Sequence, residues 1–297
     1  MKGFLKHRSQ GAPRRPDEPA VQPATPYRFG PNGECDIWVA ASAVQLARAW
    51  SLVYGVYMAR GYAQPNPQKM CYGLHDALPE TTTLLAERGG QAVAALTAVS
   101  DSPLALPADA AYGPELAALR RPGRRLCEIA SLASVESEAH RGADTLNHLF
   151  KLAYLTARRL EGATNFVIRV SPAHQQFYER LLLFRLAASQ RPDGGPGGSP
   201  GVLMELDLET AEARYQKKYG SGARSFHRFV VDPVTEPAVL EWLQAHRRGL
   251  TEITLRRFFF ETRPLIPDAP EPARLCLAGR YPNYDLAPPG RKESPET

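Results

Sequence analysis

Apolar positions along the chain change period several times, and each change marks an element. From Asp36, a polar residue suited to capping, Ile37, Ala40, Val44, Ala47, Leu52 and Val56 keep helical spacing, which predicts one helix running up to Gly61. Residues 62–78 contain Gln-Pro-Asn-Pro and no periodicity, which predicts a loop that covers something. Thr81–Glu87 and Gln91–Val99 alternate on either side of Arg88-Gly89-Gly90, a hairpin pattern. A short helical piece, Glu115–Arg120, precedes RRLCEIASLASV, residues 124–135, which reads as a strand carrying one carboxylate, Glu128.

The pattern then returns to helical spacing over Thr145–Leu160 and to a β-rich run at Asn165–Val170. The intervening crossover is long enough for the two strands to lie parallel. Ala173–Leu183 predicts a helix, Leu186–Ser189 and Val202–Leu208 predict strands around a Gly/Pro-rich turn, and Glu209–Tyr219, Glu236–His246 and Thr251–Glu261 predict three more helices. Together these give an α+β layer fold, a mixed central sheet with helices on its faces and a helical C-terminal appendage. Prolines and basic residues without an apolar face predict tails at 1–33 and 264–297, around a sheet domain at 34–208 and the appendage at 209–263.

Composition changes this picture little. A hydrophobic content of 43% suffices for a sizeable core in a chain of 297 residues, and the net charge of +5 suits an acidic partner: nucleic acid, anionic lipid or an acidic carrier protein. Paired basic residues such as Arg120/Arg121, Arg124/Arg125, Arg158/Arg159 and Arg247/Arg248 are spread through the body and read first as solvated surface. Cys35, Cys71, Cys127 and Cys276 lack metal-ligand spacing, and no secretory pattern is seen, which predicts a reduced, cytoplasmic protein without a metal. The longest apolar run, Ile37 to Met58, holds Gln45 and Arg48, and a central arginine is expensive in lipid, so it reads as a buried soluble helix.

Three places carry candidate chemistry. Glu128 sits among Leu126, Cys127, Ile129 and Leu132, where burial would raise a carboxyl toward the range of a general base; the alternative is an edge position, solvated or paired with Arg124. In SPAHQQFYERLLLF, Tyr178 follows His174 by one helical turn, which puts an acid and an imidazole on one face or, more often, a packing tyrosine beside a capping or surface histidine. His140-Arg141-Gly142-Ala143-Asp144 opens a helix and offers either an anion site or an ordinary start capped by Asp144.

The order of these elements, with LVYGVYMARGY (52–62), LPADAAYGPELAALRRPGRRLCEIASLAS (106–134) and LAYLTARRLEGATNFVIRVSPAHQQFYERLLLF (152–184), resembles the GNAT acyltransferase superfamily. Within it the chain looks like the N-acyl amino acid synthases, relatives of the acyl-homoserine-lactone synthases. The resemblance implies transfer of a fatty acyl group from an acyl carrier protein thioester to the amine of an amino acid, with coenzyme A as the other donor carrier and no permanently bound cofactor. It implies Glu128 as base, acting through a water, and Tyr178 as acid to the departing thiolate. Backbone at Ser131, Leu132 and Ala133 would hold the oxyanion, and Arg141, Gly142 and Ala143 the phosphopantetheine arm. Tyr54, Tyr57 and His174 would line the acyl and acceptor pocket. Implied partners are the carrier protein, the amine and a membrane surface for product release, not nucleic acid. The chain departs from the family pattern where an arginine usually follows in E-x-S-R, since Glu128 is followed by Ala130-Ser131-Leu132, and where Leu183 replaces the glycine of L-G-F. The rival implications are an acyl-homoserine-lactone synthase, a coenzyme A-dependent acetyltransferase, and a GNAT domain that binds without catalysis.

Overall fold

The computed structural model describes residues 24–30, 32–121, 123–135, 139–195, 198–222 and 225–286, without the side chains of 139–143. An eight-stranded sheet runs in the order β1 (Tyr27–Phe29), β2 (Cys35–Val39), β3 (Thr82–Arg88), β4 (Gln91–Ser100), β5 (Leu126–Ser134), β6 (Asn165–Val170), β8 (Gly201–Asp207) and β7 (Arg185–Arg191). Every neighbouring pair is antiparallel except β5 and β6. Helix α3 (Ala139–Leu155) and a π-helical continuation to Leu160 form the crossover between them. The mixed sheet, the hairpin and the parallel unit therefore match the expectation.

On one face, α3, α5 (Ala211–Tyr219), α6 (Phe226–Val230) and α7 (Glu236–His246) bury the inward row Ile37, Leu84, Leu96, Ile129, Phe166 and Met204. On the other, α1 (Ala43–Ala59), the 62–78 loop and the C-terminal segment pack on Leu85, Ala95 and Ala133. Beside them α2 (Asp109–Arg120) covers Val99, Leu126, Val167 and Leu203. Short α4 (Gln175–Arg180) links β6 to β7.

Four expectations are corrected. Residues 35–39 are a strand, with Cys35, Ile37 and Val39 buried in alternation, and the helix begins after Ser42, whose hydroxyl accepts from the Gln45 N–H in a capping box. Periods of 2 and 3.6 coincide over so few residues, and strand pairing with β3 decides between them. Helix α3 starts at Ala139, so Arg141–Asp144 lie inside its first turns and Asp144 is not its cap. The span from 264 is no tail as far as it is described: α8 (Glu252–Arg256) leads through a π-helical turn to α9 (Glu271–Arg280), with Ile266, Leu277 and Tyr281 buried. Its prolines sit where helices accept them, Pro270 at the cap and Pro272 in the first turn. At the other end, β1 occupies part of the expected N-terminal tail.

Arg48, the charge within the apolar helix, pairs with Glu87 at 2.6 Å. Among the described residues, no helix is long and apolar enough to cross a membrane.

Candidate active site

β5 and β6 pair from Leu126–Asn165 only as far as Ile129–Ile168. On its other side β5 stays paired with β4 up to Ser134, but the register slips between Thr97 and Ala98 and leaves Ala130 as a bulge. A bulge bends and twists its strand. Beyond it the parallel strands part, and Ala130, Ser131 and Leu132 lose their β6 partners.

The wedge so opened is a cavity of about 50 Å³ walled by Ile129, Ala130, Leu132 and Arg169 from the strands, Tyr57 and Arg60 from the end of α1, and His174 and Tyr178 from the start of α4. Tyr57, Tyr62, Ala130 and Arg169 also border a second cavity of about 290 Å³. Its remaining wall comes from Cys71, Tyr72, His75 and Asp76 of the 62–78 loop, with Thr97 and Ser131 from the sheet. The sites expected at Tyr57, Leu132, His174 and Tyr178 thus meet at the wedge, and Ser131 faces the second cavity. Tyr54 lines neither, Ala133 is buried against α1, and the side chains of Arg141, Gly142 and Ala143 lie outside the described residues.

Glu128 is fully buried, at 0% exposure, and lines neither cavity. One oxygen accepts the Ala108 N–H at 2.7 Å and the other the Arg169 Nε–H at 3.1 Å. Burial drives its carboxyl up, while the Arg169 charge and the two hydrogen bonds pull it back. Its partner is therefore Arg169 and not Arg124, which pairs with Asp207. The arginine absent from β5 after Glu128 has a counterpart two positions beyond the facing residue on β6, since Glu128 lies opposite Val167. Arg169 is the group that this pair presents to both cavities.

Burial pushes the Tyr57 phenol up to about 12, against a backbone hydrogen bond with Leu132. Burial, reinforced by Tyr57, also raises Tyr178, and Arg60 opposes it. Both phenols hold their protons at neutral pH. The α4 end that carries Tyr178 is fixed by Leu183, which adopts φ +59° where glycine would be free, with its carbonyl held by Arg214 at 2.8 Å. In the second cavity, burial lowers His75 and Arg169 adds to this, so its imidazole is neutral at pH 7, while backbone carbonyls of Leu104 and Ala105 oppose the shift. Burial raises Asp76 to about 6 despite hydrogen bonds from the Gly73 N–H and the Trp50 indole.

Arg169 and His75 were not singled out by sequence reasoning. An arginine inside the six-residue apolar strand NFVIRV was a usable signal; His75 in an aperiodic loop gave none.

A cleft of about 640 Å³ is at the opposite end of β5, near Ser100, Arg120, Arg124, Arg125 and Arg280. Arg120 pairs there with Asp101 and Asp109, Arg124 with Asp207 and Arg280 with Glu80. Paired cations of this kind hold a fold together and leave little charge for a ligand.

The family profile described as N-acyl amino acid synthase FeeM matches residues 48–207. Among solved structures, FeeM from uncultured soil microbes is 23% identical with a TM-score of 0.53, covering 66% of this chain and 98% of its own. TofI, solved with an inhibitor and MTA, is 17% identical with a TM-score of 0.46 over 68% of this chain and 98% of its own. The AHL synthase LasI is 13% identical with a TM-score of 0.45 over 60% and 92%. No curated protein matches the chain. At this identity the FeeM likeness shows the GNAT-like fold.

Proposed function

The chain belongs to the FeeM family of N-acyl amino acid synthases and is an N-acyltransferase, and from that premise we propose that it moves a fatty acyl group from a carrier-protein thioester to the amine of an amino acid. The observation that carries the reading is the parting of β5 and β6 at a bulge, with proton-holding phenols on the wedge and a larger cavity, bordered by His75 and Asp76, joined to it across Arg169.

The thioester carbonyl lies in the wedge, where the β5 backbone from Ala130 to Leu132, without a β6 partner, faces the oxygen on which charge develops. The acceptor enters from the larger cavity, its carboxylate held by Arg169, which Glu128 clamps from behind. An ammonium has no lone pair, so its proton must leave first. Neutral His75 takes it, because Glu128 has both oxygens engaged and reaches neither cavity. The amine nitrogen then forms the C–N bond to give a tetrahedral adduct, the C–S bond breaks as Tyr178 gives its proton to the departing sulfur, and the second proton on nitrogen passes to the Tyr178 phenolate, which leaves the neutral amide. The exposed cations Arg60, Arg180 and Lys217 suit an acidic carrier protein as donor.

Mass spectrometry of lipids from cells that express the protein is the test. An N-acyl amino acid is expected with the wild type, and Tyr178→Phe should reduce it by about 10²-fold while thioester binding persists. Equal product from both proteins would remove Tyr178 from the chemistry, and absence of any such lipid would remove the reading.

A further inference from the structure

The FeeM match ends at residue 207, yet the segment from Leu250 to Leu286 grips the loop that walls the larger cavity. Arg263 donates to the Tyr72 carbonyl at 2.6 Å and lies over the Tyr72 ring at 5.2 Å. The Tyr72 hydroxyl donates to the Phe258 carbonyl at 2.9 Å, and the Gln68 amide to the Thr262 carbonyl at 3.2 Å. At the far end of the loop, the Tyr281 hydroxyl donates to the Ala77 carbonyl at 2.8 Å. The aromatic contacts agree: Tyr72 stacks on Trp50 with centroids 4.4 Å apart and meets Phe259 edge-on at 5.5 Å.

These contacts bracket Cys71, Tyr72, His75 and Asp76, the loop residues that face the cavity. The loop has no regular structure between the end of α1 and a short 3₁₀ turn at Leu74–Ala77, so its shape depends on partners elsewhere. Arg263 contributes charge as well as geometry, since its field lowers Cys71, Tyr72 and Asp76 against the rise that burial imposes.

We infer that the C-terminal segment sets the acceptor specificity of the site, with Arg263 as the positioning residue that fixes the shape and charge of the cavity wall. The inference rests on the acyltransferase reading above. It separates the two substrates: the donor wedge is built by β5, β6, α1 and α4, whereas Arg263 hydrogen-bonds and stacks on the loop that walls the acceptor cavity.

The test compares full-length wild type with Arg263→Ala, Arg263→Lys and Tyr281→Phe. Donor use is read as hydrolysis of a long-chain acyl carrier protein thioester without amine, and acceptor use as KM and kcat for single amino acids. Amide hydrogen exchange over residues 70–78 is followed in parallel. Arg263→Ala should raise acceptor KM by about tenfold and leave donor hydrolysis unchanged, because a small displacement of a positioning wall is felt in substrate alignment. Exchange at 70–78 should quicken while that of β5 and β6 holds. Lysine keeps the charge but not the planar stack and should fall between. An unchanged acceptor KM, or donor and acceptor use falling together, overturns the inference, as does unchanged exchange. If Arg263→Ala does not fold, the other two variants carry the same comparison. If the wild type consumes no thioester, the acyltransferase reading fails, and exchange at 70–78 still decides whether Arg263 holds the wall.

Discussion

The two ends of β5 differ in how their polar groups are answered. At the N-terminal end lies a cleft of about 640 Å³, rich in arginine, yet Arg120 is met by two carboxylates at 2.6 and 2.7 Å and Arg124 by another at 3.3 Å. At the C-terminal end the space is smaller, and beside Arg60, Arg169 and Asp76 it is faced by groups that burial keeps neutral: Tyr57, Tyr178 and His75. The one strong ion pair there, Arg169–Glu128, hides its carboxylate and offers its cation. Size and charge density therefore point to the end of β5 where the arginines are already answered by carboxylates. Chemistry is possible where backbone pairing stops and protons are held by burial instead of by partners.

The largest effect expected from breaking this contrast comes from Arg169→Ala, which leaves Glu128 buried without its partner. Stability should fall by about 3 kcal/mol, measured by the urea midpoint. Glu128→Gln sharpens the point kinetically: acceptor KM should rise more than kcat falls, and a collapse of kcat at unchanged KM would restore the base role to Glu128. Next is His75. Its folded pKa lies below the ordinary 6.5, so the unfolded chain binds the proton more readily: stability declines as pH drops below 6.5, and base function is lost only below the lower folded value. The acidic limb of kcat/KM should therefore lie below 6.5, and His75→Gln should remove it and slow turnover by about 10²-fold. The smallest effect belongs to the other end. Arg120→Ala should cost about 1 kcal/mol and leave kcat and KM unchanged, so a loss of activity there would dissolve the contrast.

Much of this organisation was legible in the residues. The hairpin was marked by Gly89-Gly90, the parallel crossover by the length from strand to strand, and Tyr178 with His174 by helical spacing. Other features depend on contacts that no local pattern encodes. Residues 35–39 fit either period until β3 pairs with them, and the prolines of 264–272 suggested disorder although they open a helix. Glu128 was visible as a lone carboxylate in an apolar strand, but its partner is 41 residues away on the adjacent strand. The cavity wall is less legible still, because Tyr72 is placed by Arg263 and Phe258, 191 and 186 residues further on.

The wedge is also an edge in the middle of a sheet. Past Ile129 and Ile168, two strands turn unpaired backbone toward each other, which at the rim of a sheet invites an extra strand. Here the side chains of Tyr57 and Tyr178 stand in the gap, and Tyr57 takes up the backbone at Leu132. The two aromatic rings thus act as a plug, beyond the acid role proposed for Tyr178. Stripping both to alanine would expose a slot suited to an extended peptide, so the opening proposed for the thioester would become a point of self-association.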